Sequence, residues 1–237
     1  MSTLATIIVL HKTKYGESSV IIHGYSSDNG RCGFLMKKPG KGGALSLLHP
    51  LSIIEAELSE NPRGDLRYIK SFRSLHSLPG IRESLSKSSL AIYISELIFR
   101  TIHEYSPSAG FFSFLVKSIL LLEELKEDYA NFHIWFLVEF AKEAGYSPEK
   151  NFSDGALFDI ISASFTKTPQ AGTRCFSVED SAILATILDK REESIHILRI
   201  TGGRRSHFAK QMTIFLSYHF GFNINIHSLD ILHEVFE

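Results

Sequence analysis

The hydrophobic pattern changes its period once, near residue 80, and this change limits the possible folds more than any other feature. Before it, β-branched and aromatic residues fall into five short runs separated by turn residues, at 4–10, 18–25, 31–37, 51–58 and 66–75. After Pro79 and Gly80, apolar residues recur at helical spacing, as at Leu90, Ile94 and Leu97. The sequence therefore predicts an α+β chain, with strands first and helices after them.

The five predicted strands are typical of a small closed barrel. Asp28, Asn29 and Gly30 predict a hairpin between the second and third strands, because Asn and Gly accept positive φ. A glycine-rich stretch, 39–44, separates the third strand from the fourth. We predict a five-stranded OB-fold β-barrel, a fold that often binds single-stranded nucleic acid. An SH3-like barrel has similar strand statistics and stays open on the strand count alone.

The remainder of the chain predicts an α-helical C-terminal domain. We place the domain boundary so that the barrel covers 1–79 and the helical domain 80–237. Residues 146–176 lose the helical period and predict an irregular insert within that domain. Helices are predicted near 90–102, 111–125, 131–144, from 177 onward, and near 192–200, 204–220 and 227–236. The segment Ser177-Val178-Glu179-Asp180 is typical of a helix N-terminus.

Composition excludes several classes of protein. A hydrophobic fraction of 44% and a charged fraction of 22% are ordinary for a globular chain with a sizeable core. The two cysteines, Cys32 and Cys175, exclude a four-cysteine zinc site within one chain and argue against a disulfide framework. No apolar run approaches the roughly 18 residues of a membrane-spanning helix, and Met1–Leu10 lacks the basic start of a signal peptide. We expect a cytoplasmic protein without a membrane partner.

Charge is distributed unevenly along a chain whose net charge is only −1. Residues 1–80 hold ten basic and six acidic residues, a balance of +4, and the remainder holds fifteen and twenty, a balance of −5. This asymmetry is typical of an anion-facing N-terminal domain, although chance and ordinary surface solvation explain it more simply.

Motifs of catalysis are missing from the sequence. The run 40–43 lacks the ending of a Walker A loop, and neither HExxH nor GxSxG occurs. None of the eleven histidines forms an i,i+4 pair on one predicted helix, and His133 lies in an apolar segment that favours a core position. We therefore expect no enzyme, no cofactor and no bound metal.

Candidate DNA-binding residues are concentrated in the barrel. The basic, glycine-rich segment 37–43 predicts a loop whose lysines and backbone amides accept phosphate, with a solvated turn as the equal alternative. The predicted DNA-binding residues are Lys12, Lys14, Arg31, Lys37, Lys38, Lys41 and Arg67. Four aromatic residues offer stacking faces for bases, although each is more typical of the barrel interior: Tyr15, Phe34, Tyr68 and Phe72. In the helical domain, Arg204 and Arg205 begin a helix and are candidate partner-binding residues, with a surface turn as the alternative.

The chain resembles the RecO family of bacterial recombination mediators in the order and spacing of several short motifs. The first turn, 14–19, reads KYGESS, where the family has tyrosine-glycine-glutamate-serine, and 49–55 reads HPLSIIE on entry to the fourth strand. Further similar segments follow at 65–70, 96–98, 130–133 and 228–232. Together they cover nearly the whole chain.

The resemblance implies an OB-fold followed by a helical domain, and a non-enzymatic role in DNA repair and homologous recombination. It implies binding of single- and double-stranded DNA without sequence specificity and annealing of complementary strands. It also implies that the protein helps RecA load onto DNA coated with single-strand-binding protein (SSB), together with RecR. The implied partners are RecR and the acidic C-terminal tail of SSB, with RecF as a further candidate, and the implied location is the cytoplasm at the nucleoid.

The sequence departs from the family at two places. Many RecO proteins carry a four-cysteine zinc module after the third helix, whereas 146–176 contains only Cys175, so we predict a zinc-less insert. Its apolar residues are expected to hold it by packing instead: Phe152, Leu157, Phe158, Ile160, Ile161 and Phe165. The second departure is lysine in the 37–43 loop where relatives often have arginine, which forms the bidentate phosphate contacts that lysine cannot.

The RecO resemblance leaves two other functions open. One is a protein-interaction module that acts only through RecR or SSB, with weak or lost DNA binding. The other is an RNA-binding OB protein.

Overall fold

The computed structural model describes residues 2–38, 44–59 and 66–236. The chain forms two compact units, Met1–Glu124 and Leu125–Glu237. The change in hydrophobic period predicted a boundary after residue 79. The structural boundary comes later because the first unit contains both the barrel and the three helices that follow it.

Five strands form the closed barrel that the sequence predicts: β1 (Ser2–Tyr15), β2 (Ser19–Ser26), β3 (Gly30–Lys37), β4 (Ile53–Ser59) and β5 (Arg67–Ser74). Their order around the barrel is β1-β2-β3-β5-β4, and β1 closes it by pairing with both β2 and β4. The pair β3–β5 is parallel and the other four pairs are antiparallel. This is the five-stranded arrangement of an OB-fold.

Alternation along the strands places one face of each strand in the barrel core. Ile7 and Val9 of β1, Ile22 of β2 and Phe34 of β3 are completely buried there. The strand β1 is longer than predicted, because a bulge between Val9 and His11 allows it to curve from β4 to β2 and continue to Tyr15.

The β2–β3 hairpin occurs at the predicted Asp-Asn-Gly sequence. Gly30 has a φ of 65°, and a Cβ there would lie 2.6 Å from the backbone of Ser106. Glycine is therefore required at this position for two reasons. The turn needs a positive φ, and the backbone at Ser106 lies too close for any side chain.

The first unit also contains α1 (Pro79–Glu83), α2 (Leu85–Thr101) and α3 (Ala109–Glu124). The side chain of Ser84 begins α2 by accepting a hydrogen bond from the backbone of Lys87. Leu90, Leu97 and Ile98 of α2 are completely buried. The carboxylate of Glu123, near the end of α3, accepts hydrogen bonds from the backbone N–H groups of Gly80 and Ile81 and so joins the two ends of this helical segment.

The second unit contains α4 (Phe132–Glu143), α5 (Val178–Lys190), α6 (Ser194–Ile197), α7 (Gly202–Phe220) and α8 (Ser228–Val235). The predicted helix start at Ser177 is confirmed, since its hydroxyl accepts a hydrogen bond from the backbone of Asp180 at 3.1 Å. The predicted helix near 192–200 is shorter, because its first residues form a 3₁₀ turn before α6. His133 is buried in α4, as the sequence predicts.

The insert at 146–176 contains a small hairpin, β6 (Leu157–Asp159) and β7 (Ser164–Thr166), that the sequence did not predict. Phenylalanines pack around it: the ring centroid of Phe158 lies 5.2 Å from Phe165, 5.1 Å from Phe176 and 5.4 Å from Phe215. Packing by apolar residues is confirmed for Phe158, Phe165 and Ile160, which are buried. It is wrong for Ile161, which is 48% exposed at the hairpin turn.

Candidate nucleic-acid interface

Lys12 and Lys14 lie at the far end of β1, which leads into the first turn at Gly16. They pair with Ile22 and Val20 of β2, whose side chains belong to the barrel core. Side chains directly opposite each other in an antiparallel pair share a face. Both lysines therefore continue the inward-facing side of β1 past the point where the barrel closes, and both are exposed there.

Lys37 and Lys38 reach the same end of the barrel from β3. Lys37 pairs with Ser19, which pairs in turn with Tyr15, so this row crosses three strands on the outer face. Lys38 donates its backbone N–H to Ser18 and its Nζ to the carbonyl of Glu17, at 2.6 Å. We call Lys12, Lys14, Lys37 and Lys38 the barrel-end lysines.

The barrel-end lysines have no carboxylate partner among the described residues, and the same is true of Arg67, whereas Lys70 and Arg73 are ion-paired. Lys12 donates to the carbonyl of Leu45 at 3.1 Å, and partial burial lowers its pKa. On the β4–β5 pair, by contrast, Arg73 contacts Glu55 at 2.7 Å and Lys70 contacts Glu57 at 3.9 Å. Positive charge is therefore balanced at Lys70 and Arg73 and uncompensated at the barrel end, which favours an anionic ligand there.

One of the four candidate stacking residues lies exposed beside these lysines. Tyr15 is 52% exposed and shares its cross-strand row with Ser19 and Lys37. Phe34 is completely buried and Phe72 packs against the same core, the positions more typical of such residues. Tyr68 is half-buried on β5. Only Tyr15 thus combines an accessible ring with neighbouring lysines.

Arg31 holds the barrel to the chain that follows α2. Its Nε donates to the carbonyl of Ile102 at 2.7 Å, and its guanidinium contacts Glu104 at 3.1 Å and covers the ring of Phe99 at 4.8 Å from the centroid. Only 14% of its side chain is exposed. Arg31, which was predicted to contact phosphate, therefore positions the barrel against the segment after α2.

The two remaining predicted contacts are Arg67 and Lys41. Arg67 is exposed at the start of β5, beside Phe34 of β3, and falls in the cross-strand row that contains Lys12 and Ile22. Lys41 lies outside the described residues. The structure thus brings together four of the seven predicted DNA-binding residues.

Arg204 and Arg205 both have partners within the second unit. Arg204 contacts Glu179 at 2.9 Å and the completely buried Asp180 at 3.5 Å. Arg205 donates to the carbonyls of Ile200, at 2.9 Å, and of Phe236, at 3.4 Å, and burial lowers its pKa. Arg205 is therefore a component of the packing, whereas Arg204 has an exposed partner that a ligand can replace.

A cleft of about 420 Å³ in the second unit was not found from the sequence. Phe165 and Leu188 line it, and Lys150 and Lys190 lie at its rim. Lys190 contacts Asp189 at 3.1 Å, whereas Lys150 is exposed. Spacing gave no signal for this cleft, because its lining comes from the irregular insert and from α5.

Two family models match the chain. The one described as "Recombination protein O N terminal" matches residues 1–78, and the one described as "Recombination protein O C terminal" matches residues 82–190. The chain belongs to the RecO family. Its five-stranded barrel falls within the first match, and its resemblance to RecO in short motifs is confirmed over most of its length.

Similar RecO proteins come from several bacteria. The chain is 29% identical to the DNA repair protein RecO of Bacteroides fragilis and 28% identical to that of Phocaeicola vulgatus, in each case over 97% of both chains. It is 26% identical to the DNA repair protein RecO of Porphyromonas gingivalis over the whole of both. Membership of RecO places the chain among DNA repair proteins.

Two further observations concern the part of this RecO chain that the structure describes. No three His, Cys, Asp or Glu side chains come together there in a group suited to a metal ion. None of its helices is long and apolar enough to cross a lipid bilayer.

Proposed function

We propose that this RecO-family protein binds single- and double-stranded DNA through the barrel-end lysines, without reading the base sequence. The observation that carries the proposal is the contrast between these four lysines, which have no described carboxylate partner, and the ion-paired cations of β4–β5. Lysine contacts phosphate as a point charge, so such a surface attracts any DNA backbone.

Annealing of complementary strands follows from the same charges. Lysines that neutralise phosphates on one strand reduce its repulsion of a second strand. We propose that the protein anneals strands in this way and acts as a non-enzymatic mediator in the cytoplasm, at the nucleoid. Together with RecR it helps RecA load onto SSB-coated DNA, and RecF is a candidate further partner. Membership of RecO supports this role.

The acidic tail of SSB is a further proposed partner, and the second unit offers two places for it. Arg204 is available only if the tail replaces Glu179, which is 70% exposed. The cleft beside Lys150 offers an exposed cation above an apolar floor formed by Phe165 and Leu188. We propose the cleft as the docking site, since Lys150, unlike Lys190 with Asp189, has no described ion pair that an acidic peptide must break.

Salt-titrated binding of a labelled, mixed-sequence single strand tests the DNA proposal. Each phosphate contact contributes about 0.7 to the slope of log K against log salt for a single strand. Replacing all four barrel-end lysines with alanine is expected to weaken binding equally for all sequences and to flatten that slope by up to about 3. Fluorescence anisotropy measures both quantities.

The matched control replaces Lys70 and Arg73, which lie on the same barrel but are ion-paired. Their alanine variants are expected to retain most of the slope, because cations already paired with carboxylates contribute little to neutralising phosphates. An unchanged slope in the fourfold lysine variant excludes the barrel end as the binding surface. If the unmodified protein binds no DNA at low salt, the protein acts only through RecR or SSB. If it prefers RNA to DNA of the same sequence, it is an RNA-binding OB protein.

A further inference from the structure

Tyr15 lies at the end of β1, on the outer face of the barrel. It belongs to the last cross-strand row of β1, β2 and β3, together with Ser19 and Lys37. In the row before it, Val20 and Met36 belong to the barrel core. Because successive residues of a strand point to opposite faces, the row of Tyr15 faces outward. The tyrosine is therefore presented on the surface, in the same row as a proposed phosphate contact.

The Tyr15 ring is accessible to a planar ligand. The residue is 52% exposed, and no aromatic ring of another described residue packs against it. Its direct cross-strand neighbour is Ser19, whose small side chain leaves most of the ring uncovered. Tyr218 of the second unit, which is 51% exposed, instead contacts the ring of His219 at a centroid distance of 5.2 Å. Exposure alone thus does not make a tyrosine available for stacking, and Tyr15 has both the exposure and the free ring.

The charges around Tyr15 favour a ligand that carries phosphate. Lys37 lies two strands away on the same face, about 10 Å at the usual spacing of strands. Lys14 precedes Tyr15 in the chain, and the Nζ of Lys38 is held against the turn at the carbonyl of Glu17. The carboxylate of Glu17 is the single negative charge of residues 12–19 and 36–38, against four lysines. A base on Tyr15 and a phosphate at Lys37 are close enough to belong to neighbouring parts of one strand.

We propose that Tyr15 stacks on one unpaired base of a strand whose phosphates contact the barrel-end lysines, so that the barrel prefers single-stranded to double-stranded DNA. The inference rests on the proposed DNA binding and deepens it. Lysines bind any DNA backbone, whereas a tyrosine ring stacks only on a base whose face is free. In a duplex, the neighbouring base pairs cover both faces of each internal base. Every base has a flat face, so the contact selects single strands without selecting a sequence.

Replacement of Tyr15 with tryptophan gives a direct readout of stacking. The chain has one tryptophan, Trp135, which is 5% exposed, so the exposed indole of Tyr15→Trp is expected to dominate any change in fluorescence on binding. A strand of thymidines is expected to quench that emission. A strand of abasic deoxyribose phosphates of the same length is expected to bind through the lysines and leave the emission nearly unchanged. Anisotropy of the labelled strands measures occupancy, and the unmodified protein gives the background from Trp135.

Affinities of the same two strands give a second readout. Tyr15→Ala is expected to weaken binding of the thymidine strand about 5-fold or more, the effect of losing one stacked base. It is expected to bind the abasic strand and a DNA duplex as the unmodified protein does, with the same salt slope, because no lysine is removed. Tyr15→Phe keeps the ring and is expected to keep all three affinities. Tyr218→Ala removes an equally exposed tyrosine from the second unit and is the matched control, with no expected change.

The outcomes separate this inference from the proposed function. Equal quenching by both strands, or quenching by neither while both bind, overturns stacking at Tyr15 and leaves the lysine surface intact. An equal loss of affinity for both strands in Tyr15→Ala shows that the side chain only positions the lysines, and this also overturns the inference. If the unmodified protein binds neither strand at low salt, the inference and the proposed DNA binding are both overturned.

Discussion

Arg31 of β3 donates a hydrogen bond from its Nε to the carbonyl oxygen of Ile102, 71 residues later in the chain, at 2.7 Å. Ile102 immediately follows α2, so its carbonyl is one of those that the helix itself leaves unpaired. The bond therefore joins the barrel to the end of α2 and satisfies an otherwise unpaired acceptor. It also holds Arg31, which the sequence predicts to contact DNA, in a mostly buried position.

Replacement of Arg31 with alanine is expected to lower the free energy of unfolding by about 2–3 kcal/mol, through loss of charged hydrogen bonds to Ile102 and Glu104. Arg31→Lys is expected to recover little, because lysine lacks the planar fork. Urea denaturation measures the effect, and Arg67→Ala, at an exposed position, is the control with an expected change under about 0.5 kcal/mol. If Arg31→Ala is as stable as the unmodified protein but binds DNA more weakly, Arg31 contacts DNA directly.

His133 makes the second unit less stable as the pH falls. Burial, assisted by the nearby charge of Arg205, lowers its pKa to about 3, whereas an unfolded histidine has a pKa of about 6.5. The unfolded state therefore takes up the proton first, and stability present above about pH 6.5 is lost progressively towards pH 3. At pH 5.5 the loss from His133 is expected to reach about 1.4 kcal/mol.

The variant His133→Gln tests this pH dependence. It is expected to be less stable than the unmodified protein at pH 7.5, because its side chain packs differently, but to lose about 1.4 kcal/mol less between pH 7.5 and pH 5.5. Urea denaturation at both pH values gives the two differences. Identical pH dependence in variant and unmodified protein shows that His133 titrates normally in the folded state.

Phe158 is expected to be the residue on which the insert depends most. It is completely buried and contacts phenylalanines of the insert and of α7, so Phe158→Ala is expected to cost about 3–5 kcal/mol. Phe152 is 37% exposed and contacts Phe165 alone among the described rings. Its alanine variant is expected to cost less than half as much. Equal losses in denaturant titrations contradict a core centred on Phe158.

Binding of an acidic peptide is expected to depend more on Lys150 than on Arg204. Lys150→Glu reverses an exposed charge at the cleft and is expected to weaken such a peptide roughly 10-fold, about 1.4 kcal/mol. Arg204→Ala is expected to weaken it less, because that guanidinium already contacts Glu179 and Asp180. Isothermal titration with an acidic peptide compares the two variants, and a larger effect at Arg204 places the docking site at the start of α7.

The barrel was predictable because alternation with period two and a glycine turn are local signals. The helices were predictable for the same kind of reason, since their spacing repeats over three or more turns. The hairpin β6–β7 was not, because strands of three residues are too short to show alternation. The length of β1 was also missed, since its last residues are exposed and polar and its continuation depends on pairing with β2.

The candidate site was predictable in composition and only partly in location. Sequence identifies a lysine or arginine as a cation but does not identify its partner, and for Arg31 that partner follows 71 residues later. Arg205 was misplaced for the same reason, because the carbonyl of Phe236 that accepts its hydrogen bond lies at the far end of the chain. The barrel-end lysines lie at one end of the barrel because β1 and β3 are each joined to β2 by a short turn, and their contact with DNA stays a prediction.

The composition of the first unit has a consequence for the protein's synthesis. When residue 79 leaves the ribosome, the barrel still lacks the carbonyl of Ile102 that Arg31 contacts, and the helices up to Glu124 are still missing. The first unit therefore cannot complete its packing at that point. Roughly 45 further residues must emerge, which takes about 2–9 s at bacterial and eukaryotic elongation rates of about 5–20 residues per second. During that interval the exposed nascent strands can pair incorrectly, and a chaperone that binds them would act in this period.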